Sequence, residues 1–187
     1  MTRVVVGISG ASGSIYGVRL LEKLTNLPAV ETHVVMSRPG EKTLFHETGL
    51  NANDVKKLAG HWHSIDAIGA QIASGSYPID AMVIAPCSVH TMSAIAAGIA
   101  SNLLVRAADV TLKERRPLIL AVRESPFHLG HLRTMVSLSE MGAIIAPPLP
   151  AFYTKPETVD DIVNQGVNRL LDLLGLPADD AKRWDGL

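Results

Sequence analysis

Four short stretches gather the residues of this chain that could do chemistry. They are Gly7-x-x-Gly10-x-x-Gly13 with Ser9, Ala11 and Ser12 inside it, Ser37, the run Pro86-Cys87-Ser88-Val89-His90-Thr91, and Arg123-Glu124-Ser125-Pro126. Glycine lets backbone approach a ligand closely, and the opening turn of a helix offers free amides and a favourable dipole to an anion. Hydroxyls and a guanidinium add further partners for phosphate oxygens. The combination suits a phosphorylated ligand. Other candidates are weaker. Cys87 stands before a possible helix start, which would activate a thiol, but no base is spaced for it and a lone cysteine is usually buried. His61-Trp62-His63 and His128-x-x-His131 have metal-like spacing without cysteine or carboxylate company, so no metal is expected.

The elements that must position these residues follow from periodicity. Thr2–Ile8 is a β-branched run giving way to Ile15, Val18, Leu21 and Leu24 at helical spacing. Strands are also expected at 32–36, 81–85, 118–122 and 143–146. Helices are expected over 41–46, 53–58, from about Ser93, and over 103–114, 128–141 and 158–174, the last closed by Gly175. The stretch 61–78 has the least periodicity and is expected as a connection. Alternating strands and helices imply an α/β fold with an open, mostly parallel, doubly wound sheet, Rossmann-like or flavodoxin-like, in three αβα layers. In such a sheet ligands bind outside the carboxyl ends of the strands, near the point where strand order reverses. The reactive stretches all fall there. Residues 1–187 suit one domain, with 176–187 as a C-terminal tail.

Composition narrows the classes further. A formal net charge of −1 removes the basic surplus that nucleic acid or an anionic membrane surface would require. Met1 leads straight into Thr2-Arg3-Val4-Val5-Val6, without a charged segment, apolar stretch and cleavage site. The one cysteine has no intramolecular partner, so a reducing cytoplasmic setting is expected. The apolar stretch 81–105 is interrupted by Pro86, His90 and Asn102 and is expected to be buried protein. Aromatic residues make up only 4%, so aliphatic side chains must fill the core and any clustered aromatics become site candidates.

The glycine pattern resembles that of short-chain dehydrogenases, yet their Tyr-x-x-x-Lys pair is missing: Tyr16, Tyr77 and Tyr153 are followed four places on by Leu20, Ala81 and Glu157. A fuller resemblance covers residues 4–184. Gly10-Ala11-Ser12-Gly13, Pro86-Cys87-Ser88, Arg106-Ala107-Ala108-Asp109-Val110 with Leu112-Lys113-Glu114, Arg123-Glu124 with Pro126, and Pro147 through Ala151-Phe152-Tyr153 resemble the UbiX-type flavin prenyltransferase family. Several separated motifs in the right order are more specific than any one of them.

That resemblance implies a metal-independent enzyme that moves a dimethylallyl group from dimethylallyl phosphate to N5 and C6 of reduced FMN. The prenylated FMN would serve a UbiD-type decarboxylase. By position, Gly10, Ala11, Ser12, Ser37, Ser88, Val89, His90, Thr91 and Arg123 would hold FMN, while Tyr153 and Arg169 would hold the prenyl phosphate. Arg106, Lys113 and Glu124 would line the same site, and Glu47 matches a family acid. Fixed cations stabilise a departing phosphate without reorganising, and the π faces of flavin, Tyr153 or Trp184 suit an allylic cation. Glu124 or the released phosphate is a plausible base for the closing proton transfer. Family members assemble as dodecamers with sites at subunit contacts. The sequence departs from the family pattern at Arg38-Pro39-Gly40, His90 and His128.

Blander roles compete for several of these residues. Lys113 in Lys113-Glu114-Arg115-Arg116 suits a solvated helix end, Arg106 and Arg169 suit the surface, Tyr153 suits packing beside a proline-rich loop, and Trp184 suits pinning the tail. Two other functions compete as well: an FMN-dependent cysteine-peptide decarboxylase of the same fold group, and a non-catalytic FMN-binding accessory subunit. The decarboxylases resemble this chain less at the third strand end, where they carry Pro-Ala-Ser-Ala-Asn-Thr in place of Pro86-Cys87-Ser88-Val89-His90-Thr91.

Overall fold

β-branched and aliphatic runs form the strands of one sheet: β1 (Thr2–Ile8), β2 (Val30–Met36), β3 (His61–His63), β4 (Ala81–Cys87), β5 (Leu118–Val122) and β6 (Ile144–Ile145). The computed structural model describes residues 1–186. Strand order is β3-β2-β1-β4-β5-β6, and every pairing is parallel. β4 and β5 are buried along their whole length, as strands covered on both faces should be.

Seven helices cover the sheet: α1 (Ser14–Thr25), α2 (Arg38–Thr48), α3 (Ala52–Leu58), α4 (Val89–Ala96), α5 (Leu103–Lys113), α6 (Leu129–Glu140) and α7 (Val159–Leu173). Side chains alternate across each strand, so two apolar clusters form. Val4, Val6, Ile8, Val34 and Val83 pack against Val18, Leu21, Leu44 and Val167, which places α1, α2 and α7 on one face. Val5, Val35, Met82, Ile84 and Leu120 pack against Met92, Ile95, Leu104 and Leu138, which places α4, α5 and α6 on the other.

Three expectations need correction. Residues 61–78 are not connection throughout: His61–His63 form β3, paired with His33, Val34 and Val35 of β2. Three residues are too few to show a period, and only the neighbouring strand makes them one. The helix expected from about Ser93 begins at Val89, because the Ser88 hydroxyl accepts from the Thr91 amide and caps it there. The strand expected over 143–146 is trimmed to Ile144–Ile145.

One close contact sets how α1 lies over the strand ends. A Cβ at Gly17 would fall against the Ala85 carbonyl oxygen and within 2.8 Å of Ile8 Cγ1. Backbone and a strand-held side chain cannot step aside, so only glycine lets α1 come this near. Gly17→Ala is therefore expected to lower unfolding stability by about 1–3 kcal/mol as an overpacking change, measured by urea unfolding; an unchanged midpoint would contradict this packing.

Candidate active site

The strand order reverses between β1 and β4, because β2 and β4 lie on opposite sides of β1, and the crevice opens outside the carboxyl ends of β1 and β4. Ser9, fully buried, joins the two segments. Its hydroxyl donates to the Pro86 carbonyl (2.9 Å) and accepts from the Ser88 amide (2.8 Å). Its own amide also donates to the Pro86 carbonyl, at 3.2 Å. The glycine-rich loop and the start of α4 are thereby held as one unit.

A cavity of about 220 Å³ lies over that unit, lined by Gly10, Ser37, Pro39, Ser88, His90, Thr91, Asn102 and Leu104. Ser37 caps α2 by accepting from the Gly40 amide (3.1 Å). Ser88 caps α4, and its hydroxyl donates to Thr91 Oγ1 (3.1 Å). A helix leaves its first amides without intrahelical partners, and Ser88 takes only the Thr91 amide, so the cavity has the donors an anion needs. Gly10 keeps it open to backbone: a Cβ there would meet Pro39 Cβ at 2.5 Å.

The glycine-rich turn itself does something different from the phosphate cradle expected of it. Glu47, near the end of α2, reaches the start of α1 and accepts from the amides of Gly13 (3.0 Å) and Ser14 (3.0 Å). A carboxylate already fills the anion position at α1, so the helix start that keeps free amides toward this crevice is that of α4. Burial raises the Glu47 carboxyl, but the Ser12 hydroxyl and the Ser14 and Gly13 amides outweigh it and hold the pKa below its usual value.

On the other side of Ser12 and Gly13 a larger cavity of about 450 Å³ opens, lined also by Tyr16, Arg123, Glu124, Phe127 and the prolines 147, 148 and 150. Arg123 is placed by its amide, which donates to the Cys87 carbonyl (3.1 Å). The Glu124 carboxylate accepts from the Ser125 amide (3.0 Å). Burial raises the Tyr16 phenol, and the Arg123 guanidinium offsets part of that rise. Pro147, Pro148 and Leu149 are shared with a third cavity of about 310 Å³, which holds Tyr153, Gln165, Gly166 and Arg169. Gly166 leaves room for the Tyr16 ring, since a Cβ there would meet Tyr16 Cε1 at 2.8 Å. Trp184 stands edge-on to Tyr153 with ring centroids 5.5 Å apart. The second and third cavities are thus continuous along the 147–149 wall, and the first lies apart at the start of α4.

Gly10, Ser12, Ser37, Ser88, His90, Thr91, Arg123, Glu124, Tyr153 and Arg169 all line this path. Ala11 is buried within the loop and Val89 opens α4. Two expected members are not brought in by their own chain. Arg106 turns to Asp109 (2.6 Å) and to the Ala73 carbonyl (3.3 Å). Lys113 pairs with Glu114 at the far end of α5, just before β5 begins and so at the amino edge of the sheet. Within one chain Lys113 lies apart from Glu124, because α5 runs antiparallel to the strands and ends at their amino edge, whereas Arg106 sits in the first turns of α5 near Asn102 and Leu104, which line the first cavity. Cys87 is fully buried and its thiol is pushed up to about 12, which removes it as a nucleophile.

Several residues escaped the sequence reading. Tyr16, Asn102 and Phe127 carry no motif of their own, and only the fold brings them to the cavities. Ser9 was visible in the glycine pattern, but its role as a tie between strands depends on the strand order.

This geometry defines an open α/β protein that takes a phosphorylated ligand across the switch point of its sheet, and comparison with known proteins agrees. The Flavoprotein family model matches residues 1–171. The flavin prenyltransferase UbiX of Salmonella typhimurium is 54% identical over 188 residues, covering 100% of both chains. That of Archaeoglobus fulgidus is 50% identical over 182 residues, covering 97% of this chain and 99% of the relative. Among solved structures, AnUbiX (PadA1) in complex with FMN and dimethylallyl pyrophosphate superposes with a TM-score of 0.97 at 43% identity, over 100% of this chain and 98% of the other. A dodecameric FMN-dependent UbiX-like decarboxylase from Escherichia coli O157:H7 gives 0.97 at 48% identity, over 99% and 100%. The cysteine decarboxylase TvaF shares the fold alone, with a TM-score of 0.65 at 17% identity. The chain belongs to the flavoprotein family and, within it, to the UbiX-type flavin prenyltransferases.

The Glu47 contacts give a pH test. A carboxyl whose folded pKa is depressed contributes stability above its unfolded value, here 4.5, and that contribution is lost as pH falls through the lower folded value. Glu47→Gln should therefore be less stable than the parent at neutral pH, with the difference shrinking below pH 4.5 in denaturant titrations; a constant difference down to acid pH would contradict the assigned contacts.

Proposed function

We propose that this chain binds reduced FMN along the path from α4 to α7 and joins to it a dimethylallyl group taken from dimethylallyl phosphate. One observation supports the reading: the cavity that holds Arg123 and Glu124 shares Pro147, Pro148 and Leu149 with the one that holds Tyr153 and Arg169, and a separate cavity with helix-end donors lies at Gly10 and Ser88, just past the ends of β1 and β4. The donor set fits FMN. Amides at the start of α4 with Ser37, Ser88 and Thr91 suit its phosphate, the bare backbone at Gly10 allows close approach, and the wider cavity beside Tyr16 and Arg123 suits a ring system. When bound, FMN supplies the N5 and C6 atoms that the prenyl group alkylates.

The chain's own residues account for the rest. Arg169 and Tyr153 hold the prenyl phosphate, and when the allylic C–O bond breaks the phosphate leaves with the electron pair into a fixed positive site. The apolar walls at Phe127 and 147–150 exclude water from the cation, which would otherwise be captured as an alcohol. Glu124, or the departing phosphate, accepts the proton lost on ring closure. Lys113 lies at the far end of α5 from its own crevice and Arg106 is held by Asp109 and the Ala73 carbonyl, and we assign both to the site of a neighbouring subunit in an assembly like the dodecamer of the E. coli relative. Ser12 lines the ring region, and Glu47 acts behind it by holding the Gly13 and Ser14 amides. His90 is exposed at the phosphate end, while Arg38 pairs with Asp66 (2.7 Å) and His128 caps α6 by accepting from the Gly130 amide (3.0 Å), so these departures leave the cradle intact.

On this reading residues 1–187 work as one flavoprotein domain, the tail 176–187 brings Trp184 to Tyr153, and the prenylated FMN passes to a UbiD-type decarboxylase in the cytoplasm. No helix among the described residues is long and apolar enough to cross a membrane. Anaerobic incubation with reduced FMN and dimethylallyl phosphate, followed by mass spectrometry of the extracted flavin, should show addition of one five-carbon unit. Unchanged flavin with both mono- and diphosphate donors would overturn the assignment in favour of a flavin-binding subunit. Glu124→Gln and Arg106→Ala should retain FMN but slow product formation by about 100-fold or more; parental rates in both would contradict the residue roles.

A further inference from the structure

We propose that Glu31, His33 and His61, on the outer edge of the sheet, form a binding site for a divalent transition metal such as zinc. The sequence shows His61-Trp62-His63 without the carboxylate a metal site wants; parallel pairing supplies it. His33 lies beside His61 in the β2–β3 register, and Glu31 stands two residues before His33 on the same face of β2. Glu31 Oε1 is 2.9 Å from His61 Nε2 and 3.3 Å from His33 Nε2. One donor atom from each of the three residues falls within a sphere of contacts no wider than 4.8 Å. Ligand atoms at about 2.0–2.1 Å from a tetrahedral zinc lie about 3.3 Å apart; the His33 and His61 rings stack with centroids 4.6 Å apart and planes 18° apart, so the half-exposed His61 ring must rotate to turn its nitrogen lone pair onto an ion shared with His33.

The surroundings orient these donors as a metal site requires. His63 Nε2 is 3.0 Å from His33 Nδ1, so the inner nitrogen of His33 is engaged and Nε2 remains for a ligand. Arg3 Nε donates to Glu31 Oε2 (2.9 Å), which fixes the carboxylate with Oε1 toward the imidazoles. Tyr77 Oη lies 3.3 Å from His33 Nε2 and closes the inner side. His33 is fully buried whereas His61 is half exposed, which leaves a solvent position for water as a further ligand. Burial first, then the neighbouring His61 and His63, lowers the His33 pKa to about 4, so the ring is in the neutral form that ligates metals. The Arg3 charge weakens hard cations held by charge alone, and the nitrogen-rich set selects zinc, nickel or copper over magnesium or calcium.

The site is separate from the crevice: His33 lies three residues before the end of β2, about 10 Å along the strand. Prenyl transfer therefore needs no metal there. The ion would instead clasp the short edge strand β3 to β2. It would steady the segment after β3, whose Ile65 carbonyl accepts from the Leu103 amide (2.9 Å) and whose Asp66 pairs with Arg38 beside Ser37.

The test uses untagged, chelator-treated enzyme, with zinc followed by calorimetry and cobalt by visible absorption. One ion per chain is expected, with cobalt giving the intense bands of a low-coordinate site. His61→Ala and Glu31→Gln should each weaken binding by about tenfold or more with circular dichroism unchanged, while His128→Ala leaves it as in the parent. Zinc should raise the thermal midpoint of the parent and not of His61→Ala, and flavin alkylation should proceed in chelator. Binding that survives His61→Ala and Glu31→Gln, or that falls equally in His128→Ala, would overturn the site.

Discussion

The tie made by Ser9 between the ends of β1 and β4 is the interaction on which the site depends. These strands are neighbours where the sheet changes direction, and each ends in a segment that must present backbone to a ligand. Without a common anchor the glycine-rich loop and the first turn of α4 would move independently. Ser9 is buried and both partners of its hydroxyl are backbone groups, so its loss would strand a buried amide and weaken a buried carbonyl's pairing. Gly17 and Gly10 act on the same unit from outside by letting α1 and α2 close onto it.

Within that frame the two helix starts divide the labour. α1 receives a carboxylate, Glu47, and α4 remains for a phosphate. The division separates an acid that contacts Ser12 from the anion at the other end of the path, and it keeps both negative groups where helix dipoles favour them. At the opposite end, Tyr153 and Trp184 come together although they stand 31 positions apart in the sequence, because the tail folds back: Lys182 Nζ donates to the Thr154 carbonyl (3.1 Å) and Gln165 Nε2 donates to the Lys182 carbonyl (3.0 Å). A chain poor in aromatics places two of them at the prenyl end.

Much of this was legible in the sequence. Long β-branched runs and strong helical periods identified the main strands and helices, and reactive residues at strand ends located the crevice before any coordinates. What escaped was non-local. β3 is too short to carry a period and exists through its pairing with β2. The α4 start depends on a serine cap inside an apolar run. Glu47 was recognisable by resemblance, but that it would occupy the α1 amides expected for phosphate follows only from how α2 packs. Lys113 shows the opposite case: its sequence match points to the site, while α5 carries it to the other edge of the sheet within its own chain. The carboxylate missing beside His61 and His63 was one strand away.

The central claim is that Ser9 holds the phosphate cradle, and flavin affinity measures it most directly. Quenching of flavin fluorescence would compare FMN with riboflavin in the parent and in Ser9→Ala. The account predicts that Ser9→Ala weakens FMN by about tenfold, the equivalent of about 1.4 kcal/mol, and leaves riboflavin affinity nearly unchanged. An equal loss for both flavins, or no loss for FMN, would contradict it.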